Sequence, residues 1–286
     1  MDIGLGLPST IAGTPGRRIV EWAVAAERAG FSALGTIDRV VYGNHETIPT
    51  LAAAAAVTGR IRLVTTILIA PYRGNGTLLA KQLASIDSIS GGRLTVGIAV
   101  GGREDDYDAT GSPFHTRGRL FDRQLAEMRE VWAGSPRGFA GAVGPAPVQA
   151  GGPPLLLGGG APATFRRVVE YGAGWVMGGG GPDMFKAGAE QVRQAWHQAG
   201  REGEPRFVAL AYASLGDQGQ EHARSYLGDY YAFGGYADAV VAGALTSPDA
   251  VRGAVSAFEA AGCDELVLFP CSSGPEQVEL IAAAVR

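Results

Sequence analysis

The chain has few of the residues and patterns that mark secreted, nucleic-acid-binding or membrane proteins. Cys263 and Cys271 are its only cysteines in 286 residues, which excludes a disulfide framework and fits a reducing, cytoplasmic setting. Lysine and arginine total 24 against 28 aspartates and glutamates, without a long basic run, so no nucleic-acid partner is expected. No apolar run approaches the roughly 20 residues of a membrane span, and the start of the chain does not resemble a signal peptide. We therefore expect a cytoplasmic protein that acts on a small-molecule substrate.

Histidine and lysine are also scarce, which limits the possible chemistry. Of the four histidines, His197 and His222 fall in predicted helices without paired ligands, so no metal site is expected. The two lysines, Lys81 and Lys186, also fall in predicted helices rather than at strand ends. A lyase that uses a lysine Schiff base is therefore disfavoured.

Apolar runs alternate with amphipathic stretches almost from end to end. A continuous apolar run is typical of a parallel strand that is buried on both faces. The predicted strands are Ile3–Leu7, Ala33–Ile37, Ile61–Ala70, Leu94–Val100, Leu155–Gly158, Gly174–Met177, Phe207–Ser214 and Leu266–Phe269. The predicted helices are Gly16–Ala29, Pro49–Thr58, Thr77–Ile89, Thr116–Ala133, Thr164–Tyr171, Pro182–Ala199 and Pro248–Ala261.

Eight strands with intervening helices predict the α/β class and a (β/α)8 TIM barrel, as a single domain over residues 1–286. A doubly wound open sheet is the rival, because periodicity cannot show closure. No GxGxxG motif follows the first strand, which counts against a dinucleotide-binding sheet. We expect irregular connections over Gly134–Pro154 and Gly216–Thr246, and such loops often shape the substrate entrance of a barrel.

The segment Leu94–Trp132 is the most informative single stretch. A predicted strand ends in glycines, an acidic loop follows, and a helix then places Phe121, Leu125, Met128 and Trp132 on one face. Glycine at a strand end lets the backbone turn tightly and approach a ligand. The segment is therefore interpreted as a strand, a ligand-facing loop and a return helix.

Active sites of TIM barrels lie at the carboxyl ends of the strands, and this rule selects the candidate site residues. They are Asp38 and Arg39 after the second strand, Thr65, Thr66 and Tyr72 within or after the third, Gly101 and Gly102 after the fourth, and Cys271 after the eighth. His115 and Tyr230 fall in loops expected near the same end. Asp38 and His115 are the candidates for catalysis, and Arg39, Tyr72, Tyr230 and Cys271 for the substrate pocket.

Two later glycine clusters are the strongest ligand signal. Gly158, Gly159 and Gly160 lead from a strand into a helix, and Gly178 and Gly179 follow the next strand. Free backbone N–H groups and the helix dipole at such a turn favour a phosphate. A tight turn without any ligand would also require glycine.

Structural roles compete with the functional ones at the other candidates. Asp38 could form a salt bridge to Arg39, His115 could be a solvated loop residue, and Cys271 a small buried thiol. Tyr230 could line a pocket or pack in a helix.

Taken in order, the motifs resemble the bacterial luciferase-like family of flavin- and deazaflavin-dependent oxidoreductases. The matching segments are Ile3-Gly4-Leu5-Gly6-Leu7-Pro8, Ala25-Ala26-Glu27-Arg28-Ala29-Gly30-Phe31, Ile61-Arg62-Leu63 before Thr65-Thr66, Lys81 to Arg93, Leu94–Trp132, Gly158-Gly159-Gly160, Gly172-Ala173-Gly174-Trp175 and Ala260-Ala261-Gly262-Cys263-Asp264-Glu265. The resemblance covers nearly the whole chain.

The resemblance implies a barrel that holds FMN or coenzyme F420 across its strand ends, with Asp38 near the ring system. It also implies a non-proline cis peptide near Thr66-Ile67, a cofactor phosphate at the glycine clusters, and a homodimer. Two departures are notable. Arg39 stands where many of the flavin monooxygenases have histidine, and Gly102 where some deazaflavin-dependent dehydrogenases have a glutamate acid.

Three functions are compatible with these residues. The favoured one is hydride transfer between coenzyme F420 and a small organic substrate, because of Asp38-Arg39 and the absence of a large lid insertion. The alternatives are a reduced-FMN monooxygenase that uses oxygen and a separate flavin reductase, and a non-catalytic flavin-binding barrel.

Overall fold

The computed structural model describes residues 1–286 and contains a closed barrel of eight parallel strands in chain order. The strands are β1 (Asp2–Gly6), β2 (Ala33–Thr36), β3 (Arg62–Ile69), β4 (Leu94–Ala99), β5 (Leu155–Gly158), β6 (Gly174–Met177), β7 (Arg206–Ala213) and β8 (Glu265–Pro270). Strand β1 pairs with both β2 and β8, which closes the barrel. The predicted (β/α)8 fold is confirmed, and the open-sheet alternative is excluded.

The structure contains eleven α-helices, which alternate with the strands along most of the chain. They are α1 (Gly16–Ala29), α2 (Thr47–Val57), α3 (Gly76–Ser90), α4 (Glu104–Ala109), α5 (Arg117–Trp132), α6 (Pro162–Tyr171), α7 (Pro182–Gln198), α8 (Gly219–Tyr230), α9 (Ala237–Ala242), α10 (Pro248–Ala260) and α11 (Glu276–Val285). None of these helices is long and apolar enough to cross a membrane.

The structure corrects two of the predicted loops. The acidic stretch after β4 forms helix α4, whose first turn holds Glu104, Asp105 and Asp106, where negative charge interacts favourably with the helix dipole. The region Gly216–Thr246, expected to be irregular, contains helices α8 and α9. Helix α11 was also not predicted. The connection 134–154 does lack a helix or strand, as expected.

Strand β3 is irregular near its carboxyl end. Its pairing register with β4 shifts between Thr65 and Leu68, and the Thr66–Ile67 peptide bond is cis, as the family resemblance implied. Gly97 of β4 stands opposite this point, and the Thr65 hydroxyl donates a hydrogen bond to its carbonyl oxygen over 2.6 Å. The irregular segment places Ile67 against the cavity described below.

The inside of the barrel is filled below the strand ends. A cluster of 15 buried residues includes Val64, Val176, Val208 and Val267 from four strands and the Phe269 ring. At the opposite, amino-terminal end, the buried Glu265 carboxylate accepts hydrogen bonds from Arg62 and Arg206. The barrel interior is therefore packed below the strand ends, and the cavity described below opens at the carboxyl-terminal end, where TIM barrels generally hold their sites.

A single carboxylate joins α1 to the segment before β3, and it makes stability depend on pH. Glu27 Oε1 accepts hydrogen bonds from the backbone N–H groups of Gly59, Arg60 and Ile61 at 2.7–2.9 Å. Burial alone would raise the pKa of Glu27, but the hydrogen bonds outweigh burial and hold the pKa below its usual value.

Replacing Glu27 with glutamine is therefore expected to reduce stability by about 1–3 kcal/mol at neutral pH, because backbone donors lose a charged acceptor. A carboxylate whose pKa is lowered by folding stabilises the protein above its unfolded pKa and loses that contribution as the pH falls through the folded pKa. The difference between wild type and Glu27→Gln in urea unfolding should thus shrink on acidification from pH 7 to about pH 3. A difference that stays constant over this range would contradict the assignment.

Candidate active site

A cavity of about 230 Å³ opens at the carboxyl ends of the strands, and we call it the ring cavity. Strands or loops from both halves of the barrel contribute to it. Its lining residues are Ile37, Asp38, Thr66, Ile67, Ile69, Tyr72, Gly101, Gly102, Arg103, Asp106, Tyr107, Gly178, Tyr230, Tyr231, Phe233 and Tyr236. Strand-end reasoning thus located the cavity, and seven of its lining residues are among the predicted site residues: Asp38, Thr66, Tyr72, Gly101, Gly102, Gly178 and Tyr230.

Asp38 lies in the wall of the ring cavity, but both of its carboxylate oxygens already have partners. Arg73 Nη2 donates to both oxygens at 2.9 Å, and the N–H of Ile69 donates to Oδ2 at 2.9 Å. The Thr47 hydroxyl donates to Oδ1 at 3.3 Å. The Asp38 side chain therefore fixes the segment after β3 and the start of α2, and its partner is Arg73 rather than the neighbouring Arg39.

Two arginines hold the end of α8 over the ring cavity. Arg39 Nη1 and Arg103 Nη2 both donate hydrogen bonds to the Tyr230 carbonyl oxygen, at 3.0 and 3.1 Å. The Arg103 guanidinium also stacks on the Phe233 ring at 3.6 Å from its centroid, a favourable cation–π geometry. Arg39 makes an ion pair with Asp105 at 3.6 Å, so its guanidinium is committed to this cluster.

Two buried polar atoms of the ring cavity have no hydrogen-bond partner in the protein. They are the Tyr72 hydroxyl and Arg103 Nη1. Burial raises the pKa of Tyr72 well above its usual range, and the Asp38 carboxylate raises it further, so the hydroxyl stays protonated. Because unpaired buried donors cost free energy, both atoms are suited to an acceptor oxygen or nitrogen of a bound molecule.

The two predicted glycine clusters meet around one side chain. A Cβ at Gly158 would clash with the Ile67 side chain, and one at Gly178 would lie 3.0 Å from Ile67 Cδ1. Gly178 lines the ring cavity, whereas Gly159 and Gly160 lie in the exposed turn before α6. Helices α6 and α7 both begin after these glycines at a proline, Pro162 or Pro182, which has no N–H, and neither helix has a side-chain cap. The Thr164 N–H of α6 donates to the Ala161 carbonyl, so the Ala163 N–H is the free donor of that first turn, and the first turn of α7 carries the Asp183 carboxylate.

Arg166 and Arg167, which follow the first glycine cluster, are engaged elsewhere. Arg167 Nε donates to Asp122 Oδ1 at 2.7 Å, and Arg166 Nη2 donates to the same carboxylate at 3.1 Å. The Ala163 N–H at the start of α6 is therefore an available donor near the clusters.

The remaining predicted residues lie at different depths. Thr65 is fully buried, and its hydroxyl is used within the barrel, while Thr66 lines the ring cavity. His115 is exposed beside Phe114 and does not line the ring cavity, so the structure does not bring it to the site. Cys271 is buried among apolar residues, and burial raises the pKa of its thiol to about 12.

A second cavity of about 550 Å³ adjoins the ring cavity, and we call it the apolar cavity. Both cavities are lined by Gly178, Tyr231 and Tyr236. The other residues of its wall are Gly179, Gly180, Gly181, Pro182, Met184, Leu210, Ala211, Tyr212, Ala239, Val240, Gly243, Leu245, Ala254 and Phe258. Of the predicted site residues, Gly178 and Gly179 reach it.

Sequence reasoning missed several residues that shape the ring cavity, chiefly Ile67, Arg103, Tyr107, Phe233 and Tyr236. Arg103 follows the glycines at the end of β4, so the strand-end rule could have selected it as a site residue. The aromatic residues of 226–236 were a weaker signal, because aromatic residues also pack in ordinary helices. The structure contains no cluster of three or more histidine, cysteine, aspartate or glutamate side chains that could hold a metal ion.

Comparison with known proteins gives a consistent result. The family model for luciferase-like monooxygenases matches residues 1–283. An uncharacterised protein of Mycobacterium tuberculosis is 31% identical over 63% of this chain and 71% of its own length. A 5,10-methylenetetrahydromethanopterin reductase of Methanolobus tindarius is 28% identical over 69% of this chain and 60% of its own length. An FMNH2-dependent dimethylsulfone monooxygenase of Pseudomonas putida is 26% identical over 84% of this chain and 66% of its own length.

Solved structures share the fold over the whole chain. The monooxygenase RslO1 from Streptomyces bottropensis covers 100% of this chain, and 98% of that protein is matched, with a TM-score of 0.80 and 22% identity. An F420-dependent secondary alcohol dehydrogenase in complex with an F420-acetone adduct also covers 100% of this chain, with 99% of that protein matched, a TM-score of 0.81 and 18% identity. At 22% and 18% identity, this structural similarity supports a shared fold and no further property.

Proposed function

The chain belongs to the family of luciferase-like monooxygenases, and we propose that it is an oxidoreductase that uses coenzyme F420 to exchange a hydride with a small organic substrate. Members of this family are flavin- or F420-dependent oxidoreductases and monooxygenases. The choice of F420 is the proposal, since the chain is similar to proteins named for either cofactor.

The observation that carries the proposal is the composition of the ring cavity, which has donors but no histidine. None of its lining residues is a histidine, and the side chain that follows Asp38 is an arginine held by the Tyr230 carbonyl. Histidine is the side chain suited to moving protons near neutral pH, and many flavin monooxygenases of the family carry it at this point. The chain departs from those monooxygenases at this position, and the choice of F420 rests on that departure; it does not rest on proton transfer, which reduction of a carbonyl by hydride also requires.

The residues present fit a deazaflavin ring and a phosphate. The Tyr72 hydroxyl and Arg103 Nη1 are buried donors without partners. Gly101 and Gly178 line the ring cavity without adding a side chain to it. Gly101 has a φ of +66°, where any other residue would be strained. The uncapped start of α6 would hold the phosphate of the same molecule, because the first turn of α7 carries the negative charge of Asp183.

The chain would supply positioning and hydrogen bonds, while the cofactor supplies the electron chemistry. When bound, coenzyme F420 donates or accepts a hydride at its deazaflavin ring. The protonated Tyr72 hydroxyl and the Arg103 guanidinium donate hydrogen bonds to oxygen atoms placed in the ring cavity. Asp38 is a positioning residue in this scheme, because it holds Arg73 and the backbone of Ile69 rather than a ligand.

Titration of the purified protein with F420 and with FMN, each oxidised and reduced under anaerobic conditions, tests the proposal. Fluorescence quenching and calorimetry would measure binding. We expect F420 to bind at least about tenfold more tightly than either form of FMN, which corresponds to about 1.4 kcal/mol. Selective binding of reduced FMN would overturn the F420 assignment and favour a monooxygenase supplied by a flavin reductase. If neither cofactor binds, the proposed function is wrong.

A further inference from the structure

We infer that the apolar cavity is the binding site for the substrate, and that the substrate carries a neutral apolar group large enough to occupy most of it. This inference rests on the proposed function, since it assigns the ring cavity to the cofactor. It concerns the substrate class, which neither the family nor its characterised relatives fix for this chain.

The size of the apolar cavity fits a substrate rather than a trapped solvent molecule. Its volume of about 550 Å³ lies within the roughly 300–1,000 Å³ typical of small-molecule sites. The ring cavity, at about 230 Å³, is too small to hold both a ring system and an organic substrate. A substrate that reacts at the ring therefore needs additional space, and the apolar cavity is the adjoining space.

The wall of the apolar cavity selects against charge. None of its 17 lining residues is an aspartate, glutamate, lysine, arginine or histidine. Met184, Leu210, Val240, Leu245 and Phe258 provide large apolar surfaces. An ion transferred into such surroundings without a partner pays a large desolvation cost, so the occupant is uncharged.

The only polar side chains of that wall are three tyrosines, and two of them also line the ring cavity. Tyr212 and Tyr231 share a hydrogen bond of 2.7 Å between their hydroxyls, and Tyr231 lines both cavities. Tyr236, the third tyrosine, also lines both. A substrate would thus place its polar reacting group beside these hydroxyls and its apolar part beyond them. This arrangement predicts a compound with one polar end, such as an apolar ketone, alcohol or enone.

Glycines keep the space open on one side. Gly179 and Gly181 have no atom within 4 Å of the position where a Cβ would be, which means that side chains there would enter open space. Across the cavity, Ala239 on α9 is exposed and small. A larger side chain at position 239 would therefore fill part of the cavity without disturbing the buried core.

The test compares Ala239→Phe with the wild type in binding prodan, a neutral naphthalene whose emission shifts to the blue in apolar surroundings. Ala242→Phe is the matched control, because Ala242 is exposed on the same helix and does not line the apolar cavity. Thermal unfolding followed by circular dichroism would verify that each variant is folded. Met184→Trp, at an exposed position of the same cavity on α7, gives an independent second filling.

We expect Ala239→Phe and Met184→Trp to weaken prodan binding by about tenfold or more, because an overfilled cavity no longer fits the probe. Ala242→Phe should bind prodan as the wild type does, and Ala239→Phe and Ala242→Phe should keep the wild-type affinity for the cofactor. Unchanged prodan binding in both filled variants would overturn the inference. An equal loss of cofactor affinity would also overturn it, since the cavity would then belong to the cofactor. Absence of cofactor binding in the wild type would refute the proposed function, while the prodan result would still decide whether the cavity is a ligand site.

Discussion

Replacing Asp38 with alanine is expected to lower the free energy of unfolding by about 3–5 kcal/mol, because it leaves the cation of Arg73 buried with a single partner. The Asp38 side chain is 1% exposed and that of Arg73 14%, so water cannot replace the lost carboxylate. Glu46 still pairs with Arg73 at 2.6 Å, but its side chain is 44% exposed. It also does not replace Asp38 as the acceptor for the Ile69 N–H and the Thr47 hydroxyl. Urea unfolding at neutral pH would measure the change.

Asp105→Ala is the matched control for this prediction. Asp105 is also a carboxylate at the rim of the site, but it is 43% exposed and lies 3.6 Å from Arg39. Arg39 is itself buried, but without Asp105 it keeps its hydrogen bond to the Tyr230 carbonyl and its contacts with the Tyr42 and Tyr230 rings, so removing Asp105 should cost less stability than removing Asp38. The double variant Asp38→Ala/Arg73→Met should lose less than the sum of the two single changes, since neither buried member of the pair is then left without the other. An Asp38→Ala variant as stable as Asp105→Ala would refute the structural role.

Replacing Arg103 with methionine should weaken cofactor binding by roughly 10- to 100-fold, because hydrogen bonds from charged groups contribute about 1.5–3 kcal/mol. Arg103 Nη1 is the one cationic donor of the ring cavity that has no partner in the protein. Methionine keeps much of the length of the side chain and its contact with Phe233, so the change removes mainly the donors. Quenching of F420 fluorescence on binding would provide the affinity.

Arg103 also holds the Tyr230 carbonyl, and a second variant separates that effect from ligand binding. Tyr72→Phe removes a hydroxyl without a protein partner, so it should leave stability near that of the wild type and weaken binding by about 2- to 10-fold. Arg224→Met, at an exposed position outside both cavities, should change neither quantity. Wild-type affinity in both Arg103→Met and Tyr72→Phe would mean that the cofactor does not occupy the ring cavity.

The fold was predictable because its determinants are local. Strands such as β4 and β5 are apolar along their whole length, as expected when helices cover one face and the barrel interior the other. Helix α8 escaped prediction because its buried face, Ala223, Tyr226, Leu227 and Tyr230, mixes a small residue with tyrosines. Tyrosine has both an apolar ring and a polar hydroxyl, so its spacing alone does not distinguish a packed helix from a loop that lines a pocket.

The position of the ring cavity was predictable from the sequence, but the contacts of its residues were not. The rule that TIM-barrel sites lie at strand carboxyl ends placed Asp38 in the cavity wall, yet its partner Arg73 is 35 residues away. His115 lies well beyond the end of β4, after helix α4, and the turn that contains it is exposed to solvent. The contact between Arg103 and Phe233 depends on how α8 ends, which no local pattern encodes.

The Tyr230 carbonyl oxygen at the end of α8 is a fixed point of the site, and the side chains that follow it can vary. Arg39 from the β2 loop and Arg103 from the β4 loop both hold one main-chain oxygen, that of Tyr230, and a backbone atom is the same whatever residue occupies the position. Phe233 and Tyr236, which follow that anchor, are partly exposed and line the cavities with their side chains. Substitutions at Phe233 and Tyr236 should therefore alter substrate preference while the hydrogen bonds to the Tyr230 carbonyl keep their geometry. Libraries directed at 233 and 236 should retain folded protein more often than libraries directed at 39 and 103.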